Sequence, residues 1–144
     1  MRPDPNATYT CDGTGGGHSP PLEWTGAPQG TVEFAIMVTT LALDGLEWNW
    51  VLYHIPGNVT SLAETTVGVG TAGVSSDSPE HRYYPPCSTG PGAKTYTFTI
   101  YALSGTPTFS VPENEVNGDI LTRAISPLII GSRQMNVTYT RSGL

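Results

Sequence analysis

Residues 94–103, KTYTFTIYAL, carry the clearest structural signal in the chain. Tyr96, Phe98, Ile100 and Ala102 fall on one parity and Thr95, Thr97 and Thr99 on the other, the period of two that gives a strand one apolar and one polar face. Lys94, the only lysine in the chain, belongs to the apolar set. An ammonium group therefore stands at the mouth of an apolar strand and needs a reason to be there.

The same period recurs on either side of this stretch. In TVEFAIMVTTL (31–41), Val32, Phe34, Ile36 and Val38 alternate with Thr31, Glu33, Ala35 and Met37, which predicts a central strand covered on both sides. NWVLYHI (49–55) reads as a second strand, with Asn49, Val51, Tyr53 and Ile55 on one face and Trp50, Leu52 and His54 on the other. QMNVTYT (134–140) sets Met135, Val137 and Tyr139 against Asn136, Thr138 and Thr140 and reads as the last strand. Seventeen glycines and thirteen prolines punctuate these runs, and the fold class expected is all-β. One helix is predicted near the C-terminus. Asn117 caps it, Asp119 suits its positive first turn, Ile120 and Ala124, with Leu121 and Ile125, supply its buried stripe, and Pro127 stops it. Residues 63–92 have no sustained alternation and read as a long loop, of the kind that carries contacts.

The 144 residues form one expected domain, 1–144, large enough to bury a single core. Only 12% of residues are charged and the net charge is −6. One lysine and five scattered arginines make no basic stripe, so nucleic acid is not an expected partner. No apolar run reaches the roughly 18 residues of a membrane span. The opening MRPDPNATYT has neither the charged nor the apolar region of a signal peptide. Low Lys and Glu content nevertheless leans towards an exported domain, extracellular or periplasmic, with the cytoplasm as the alternative.

Catalytic patterns are not found. There is no Gly-x-Ser-x-Gly elbow, no His-Glu-x-x-His and no phosphate loop, and GTGGG (13–17) precedes no strand–helix unit. The chain is therefore expected not to be an enzyme and to need no cofactor. Cys11 and Cys87 are far apart and lack histidines at zinc spacing, so no metal site is expected. Of the histidines, His18 sits in a glycine-rich turn, His54 reads as a packed and hydrogen-bonded sheet residue, and His81 lies in the long loop beside Arg82. Asn6, Asn58 and Asn136 begin Asn-x-Thr triplets, which matter only in a eukaryotic secretory pathway.

Several segments taken together resemble the phosphatidylethanolamine-binding protein family, in particular its bacterial branch of Raf-kinase-inhibitor-like proteins. They are YTCDG (9–13), SPPLEWTGAPQGTVEFAIMV (19–38), NWVLYHIPG (49–57), PPC (85–87), YTFTIYAL (96–103) and NVTYTR (136–141). Their order and spacing match over nearly the whole chain. The resemblance implies a β-sandwich in which a large central antiparallel sheet packs against a smaller one, with a short helix near the C-terminus. It also implies a small anion pocket for phosphate or phospholipid head groups.

At that pocket this chain departs from the family. Thr39, Thr40, Leu41 and Ala42 stand where the family has Asp-Pro-Asp-Ala, so a hydroxyl replaces a carboxylate. Asn49 replaces a pocket histidine and cannot change charge near neutral pH. Lys94 replaces a second histidine, in the triplet Lys94-Thr95-Tyr96. The resemblance thus assembles a site from Lys94, Tyr96, Asn49 and Thr40, with Pro86 and Ser88 as its wall, Glu47 at its side and His81 as an imidazole the long loop would bring over it. Lys94 makes such a pocket more positive, and a compact ammonium suits a carboxylate or phosphate. Two readings stay open for it, because its stem can instead cover the core edge with the amine in solvent. Glu47 also offers it an ion-pair partner, and a pocket neutralised that way would bind little. Cys11 and Cys87 lie on one side of the sheet in the resemblance, so a disulfide is expected, with two buried thiols as the alternative. Closing so long a loop would contribute about 4 kcal/mol. The partner is then a small anionic or polar ligand, or, if the pocket has degenerated, an unidentified protein bound as by an inhibitor or interaction module.

Overall fold

The computed structural model describes residues 22–42, 45–62, 69–73, 92–112 and 115–141. Among these described residues, seven strands and one α-helix follow in the order β1 (Leu22–Glu23), β2 (Glu33–Ala42), β3 (Gly45–Pro56), β4 (Ser61–Leu62), β5 (Thr71–Ala72), β6 (Gly92–Leu103), α1 (Gly118–Ile125), a 3-10 turn (Ser126–Leu128) and β7 (Ile129–Arg141). Five of the strands make an antiparallel sheet in the order β5-β3-β2-β6-β7, and β1 pairs with β4 in a second, two-stranded sheet. The all-β sandwich with a short C-terminal helix is the expected fold. β7 begins well before the expected 134, directly after the 3-10 turn. Part of the expected loop at 63–92 is strand, because β5 pairs Ala72 with Leu52 and Thr71 with Tyr53.

β2 is the middle strand, and its alternation feeds two cores. Phe34, Ile36 and Val38 pack with Trp50, Leu52, Ile55, Tyr96, Phe98 and Ala102 on one face, where Leu62 of β4 closes over them. Ala35 and Met37 pack on the other face with Val51, Tyr53, Leu103, Val116, Leu121 and Ile125. The residues named in these two clusters are almost wholly removed from water, which at roughly 1.5–3 kcal/mol for each large side chain is the main driving force for the sandwich. Val32, expected on the apolar face, instead lies outside the strand and is 50% exposed.

Trp50 and Leu52 share one face of β3 and Val51 and Tyr53 the other, as expected, but the alternation fails at Asn49, His54 and Ile55 because the strand contains two bulges. Val38 pairs with Trp50 and Thr39 with Trp48, leaving Asn49 as an extra residue. Phe34 pairs with Ile55 and Ile36 with Leu52, so that Tyr53 and His54 together oppose Ala35. Each bulge shifts parity by one. Trp50, Leu52 and Ile55 therefore share a core, although Leu52 and Ile55 are of opposite parity. His54 absorbs the second bulge in the left-handed region, at φ 56°.

The helix follows its signals at both ends. Asn117 Oδ1 accepts from Ile120 N at 2.9 Å, Asp119 stands in the first turn and pairs with exposed Arg123 at 3.0 Å, and Pro127 lies in the turn that ends it. Its buried stripe is Gly118, Leu121 and Ile125, whereas Ile120 and Ala124 are only half-buried. The stripe is rotated because Gly118 presses against Trp48 so closely that a Cβ would overlap the indole.

Candidate functional site

Two of the expected site residues meet directly. Thr40 Oγ1 donates to Asn49 Oδ1 at 2.7 Å, and both residues are buried. The bulge makes this contact possible, since in register Thr40 pairs with Glu47 on one side and Tyr96 on the other. Tyr96 is buried in the core that holds Phe34, Ile36 and Val38. Thr40, Glu47, Asn49 and Tyr96 thus come from three adjacent strands to one end of the central sheet. Glu47 is half-buried beside the pair.

This corner is chemically distinct from the sheet around it. Four residues back along β2, Ile36 belongs to the apolar core, whereas at Thr40 a hydroxyl and a carboxamide take up buried space. Buried polar atoms are tolerated when they are hydrogen-bonded, and this pair satisfies the hydroxyl donor and one amide oxygen. Neither Thr nor Asn titrates near neutrality, so the pair offers a polar surface without acid or base chemistry.

The backbone of Lys94 lies in β6, two residues before Tyr96, and pairs with Tyr139 of β7. His81, Pro86 and Ser88, together with Cys11 and Cys87, lie outside the described residues.

A second polar cluster occupies the other end of β2. Glu33 is buried and accepts from His54 Nδ1 and from Thr106 Oγ1, each at 3.0 Å. The His54 ring packs edge-on against Tyr53 and Phe109. His54 is thus the packed, hydrogen-bonded sheet residue its sequence context implied. Glu33 and Thr40 are seven residues apart on one strand, roughly 23 Å, so the two clusters are separate.

Sequence reasoning does not single out Trp24 and Arg133, which border grooves on the face of Phe34 and Phe98. The two residues are more than a hundred positions apart, and the only local signal is a tryptophan among polar neighbours.

A five-stranded sheet with a two-stranded sheet over one face, a capped helix on the other and a buried polar corner at one end defines an all-β sandwich. The phosphatidylethanolamine-binding protein family model matches residues 3–140, and the chain belongs to that family. Among curated relatives it is 32% identical over 151 residues to a UPF0098 protein of Chlamydia muridarum, spanning 96% of this chain and 91% of the relative. It is 34% identical over 101 residues to a UPF0098 protein of Methanothermobacter thermautotrophicus, spanning 66% of this chain and 65% of the relative. The fold matches the crystal structure of a phosphatidylethanolamine-binding protein homologue, CT736, from Chlamydia trachomatis, with a TM-score of 0.79 and 28% identity over 93% of this chain and 87% of that one. It also matches YbcL of E. coli, with a TM-score of 0.79 and 21% identity over 94% and 87% of the two chains.

Proposed function

We propose that the protein binds a small anionic or polar ligand, without turning it over, at a diverged family pocket built on Thr40, Asn49 and Tyr96, with Lys94 supplying positive charge. The buried Thr40–Asn49 hydrogen bond carries this reading. It keeps a polar corner next to Tyr96, at the end of an otherwise apolar face, where the family pattern has an aspartate and a histidine. A Thr–Asn pair cannot serve as general acid or base near neutral pH, which favours a binder over a catalyst. Exchanging a carboxylate and two histidines for a hydroxyl, an amide and an ammonium raises the local positive charge on a chain whose net charge is −6. The low lysine content is the support for an exported location.

Thermal-shift titration with phosphate, acetate and phosphoethanolamine tests the reading, because a ligand that binds the native state stabilises it by about 2.7 kcal/mol at a hundred times its Kd. A rise in Tm that Lys94→Ala abolishes is the expected result. If none of the three anions raises Tm, the reading is overturned in favour of a protein-interaction module on the same scaffold.

A further inference from the structure

Two contiguous grooves lie on the apolar face of the central sheet and share Trp24, Thr25, Ile100 and Arg133 as lining. The larger, of about 270 Å³, has Ile36, Phe98 and Met135 in its floor. The smaller, of about 210 Å³, continues over Phe34 and Ala102. Ile36 precedes Thr40 by four positions on β2, roughly 13 Å, so these grooves are displaced from the Thr40–Asn49 corner.

Two of the residues that line both grooves, Trp24 and Arg133, carry hydrogen-bond donors. The Trp24 indole Nε1 is buried and has no hydrogen-bond partner. A buried donor left unsatisfied is costly, so it is a group that a ligand acceptor would relieve. Its ring is held in place by an edge-on contact with Phe34, the centroids 5.4 Å apart. Arg133, on β7, is exposed and reaches back over the chain after Trp24, its Nη2 4.0 Å from where a Cβ on Gly26 would stand. Glu23 borders the larger groove, yet among the described residues no carboxylate pairs with Arg133. Among the described residues, none that lines the smaller groove is acidic. An unpaired guanidinium and an orphan indole N–H over an apolar floor complement an anion that carries an apolar body.

We propose that this groove is a second binding site, for an amphipathic carboxylate. Its head accepts hydrogen bonds from Arg133 and from Trp24 Nε1 on the side away from Glu23. Its alkyl or aryl body lies along Ile36, Phe98, Ile100 and Met135. A cation of the same length is rejected by Arg133, and a small anion without the body leaves the floor hydrated.

Nitrogen-15 NMR of the three indole N–H groups tests this, with the Trp24 signal assigned by its loss in Trp24→Phe. Decanoate is expected to shift the Trp24 signal saturably. Decyltrimethylammonium and acetate are expected to leave it in place, and Arg133→Gln, at an exposed position, is expected to weaken decanoate binding about tenfold. The proposal is overturned if decanoate does not move the Trp24 signal, if the cation moves it equally, or if Arg133→Gln binds decanoate as well as the wild type.

Discussion

Thr40 donates a hydrogen bond to Asn49 although the β2–β3 ladder pairs it with Glu47. The bond reaches across the ladder because Asn49 is the extra residue of a bulge, and a residue in that position is re-aimed relative to strict alternation. A structural irregularity thus builds the polar corner on which the proposed pocket rests.

Thr40→Val keeps the shape of the side chain and strands the Asn49 oxygen in a buried site. A stability loss of about 1–3 kcal/mol is expected in urea unfolding. Asn49→Leu is expected to cost a similar amount. The double variant should lose less than the two singles added together, with a coupling of about 0.5–3 kcal/mol, since each single change already breaks the same bond. Strict additivity would mean that the two side chains do not interact.

Gly118→Ala is expected to destabilise, against the general rule for helices. Alanine ordinarily gains about 0.5–1 kcal/mol over glycine within a helix. Here its Cβ would overlap the Trp48 indole, and overpacking of this kind costs about 1–3 kcal/mol. A lowered urea midpoint with an unchanged slope is the expected readout.

His54 distinguishes backbone from side-chain effects. Its φ of 56° lies in a region asparagine tolerates and β-branched residues avoid. His54→Val should therefore be less stable than His54→Asn by about 1–2 kcal/mol in thermal or urea unfolding. Equal stability of the two variants would show that the bulge relaxes when the imidazole is removed.

Glu33 holds two donors from distant parts of the chain, His54 and Thr106. Glu33→Ala leaves both without their acceptor in a largely buried site, and a loss of roughly 2–3 kcal/mol is expected. Glu33→Gln keeps one acceptor oxygen and should lose clearly less. Thr106→Val, measured alongside, apportions the two contacts.

The sequence was legible where alternation ran unbroken. Tyr96, Phe98 and Ala102 in β6, and Phe34, Ile36 and Val38 in β2, are buried together as their spacing required. The helix was legible at its ends because a cap and a proline act locally. The ends of β3, at Asn49 and from His54 to Ile55, are not legible because a bulge is a property of two strands, and neither Asn49 nor His54 is the glycine that would flag one. In the helix stripe Leu121 and Ile125 are buried as expected, whereas Gly118 is missed because it is buried through a partner seventy residues away, Trp48. At the candidate site, the family pattern led to Thr40 and Asn49 as pocket neighbours, but their mutual hydrogen bond needed the bulge. The Trp24 groove exists only where β1, β6 and β7 converge, and no window of sequence spans them.

β2 contributes successive side chains to opposite cores, so neither core can be taken apart while the other stays whole. Peeling β6 away strips one wall from the layer of Phe34 and, through Leu103, one from the layer of Met37. The sandwich and its helical side are therefore expected to melt in one transition, taking the polar corner, the Glu33 cluster and the Trp24 groove with them.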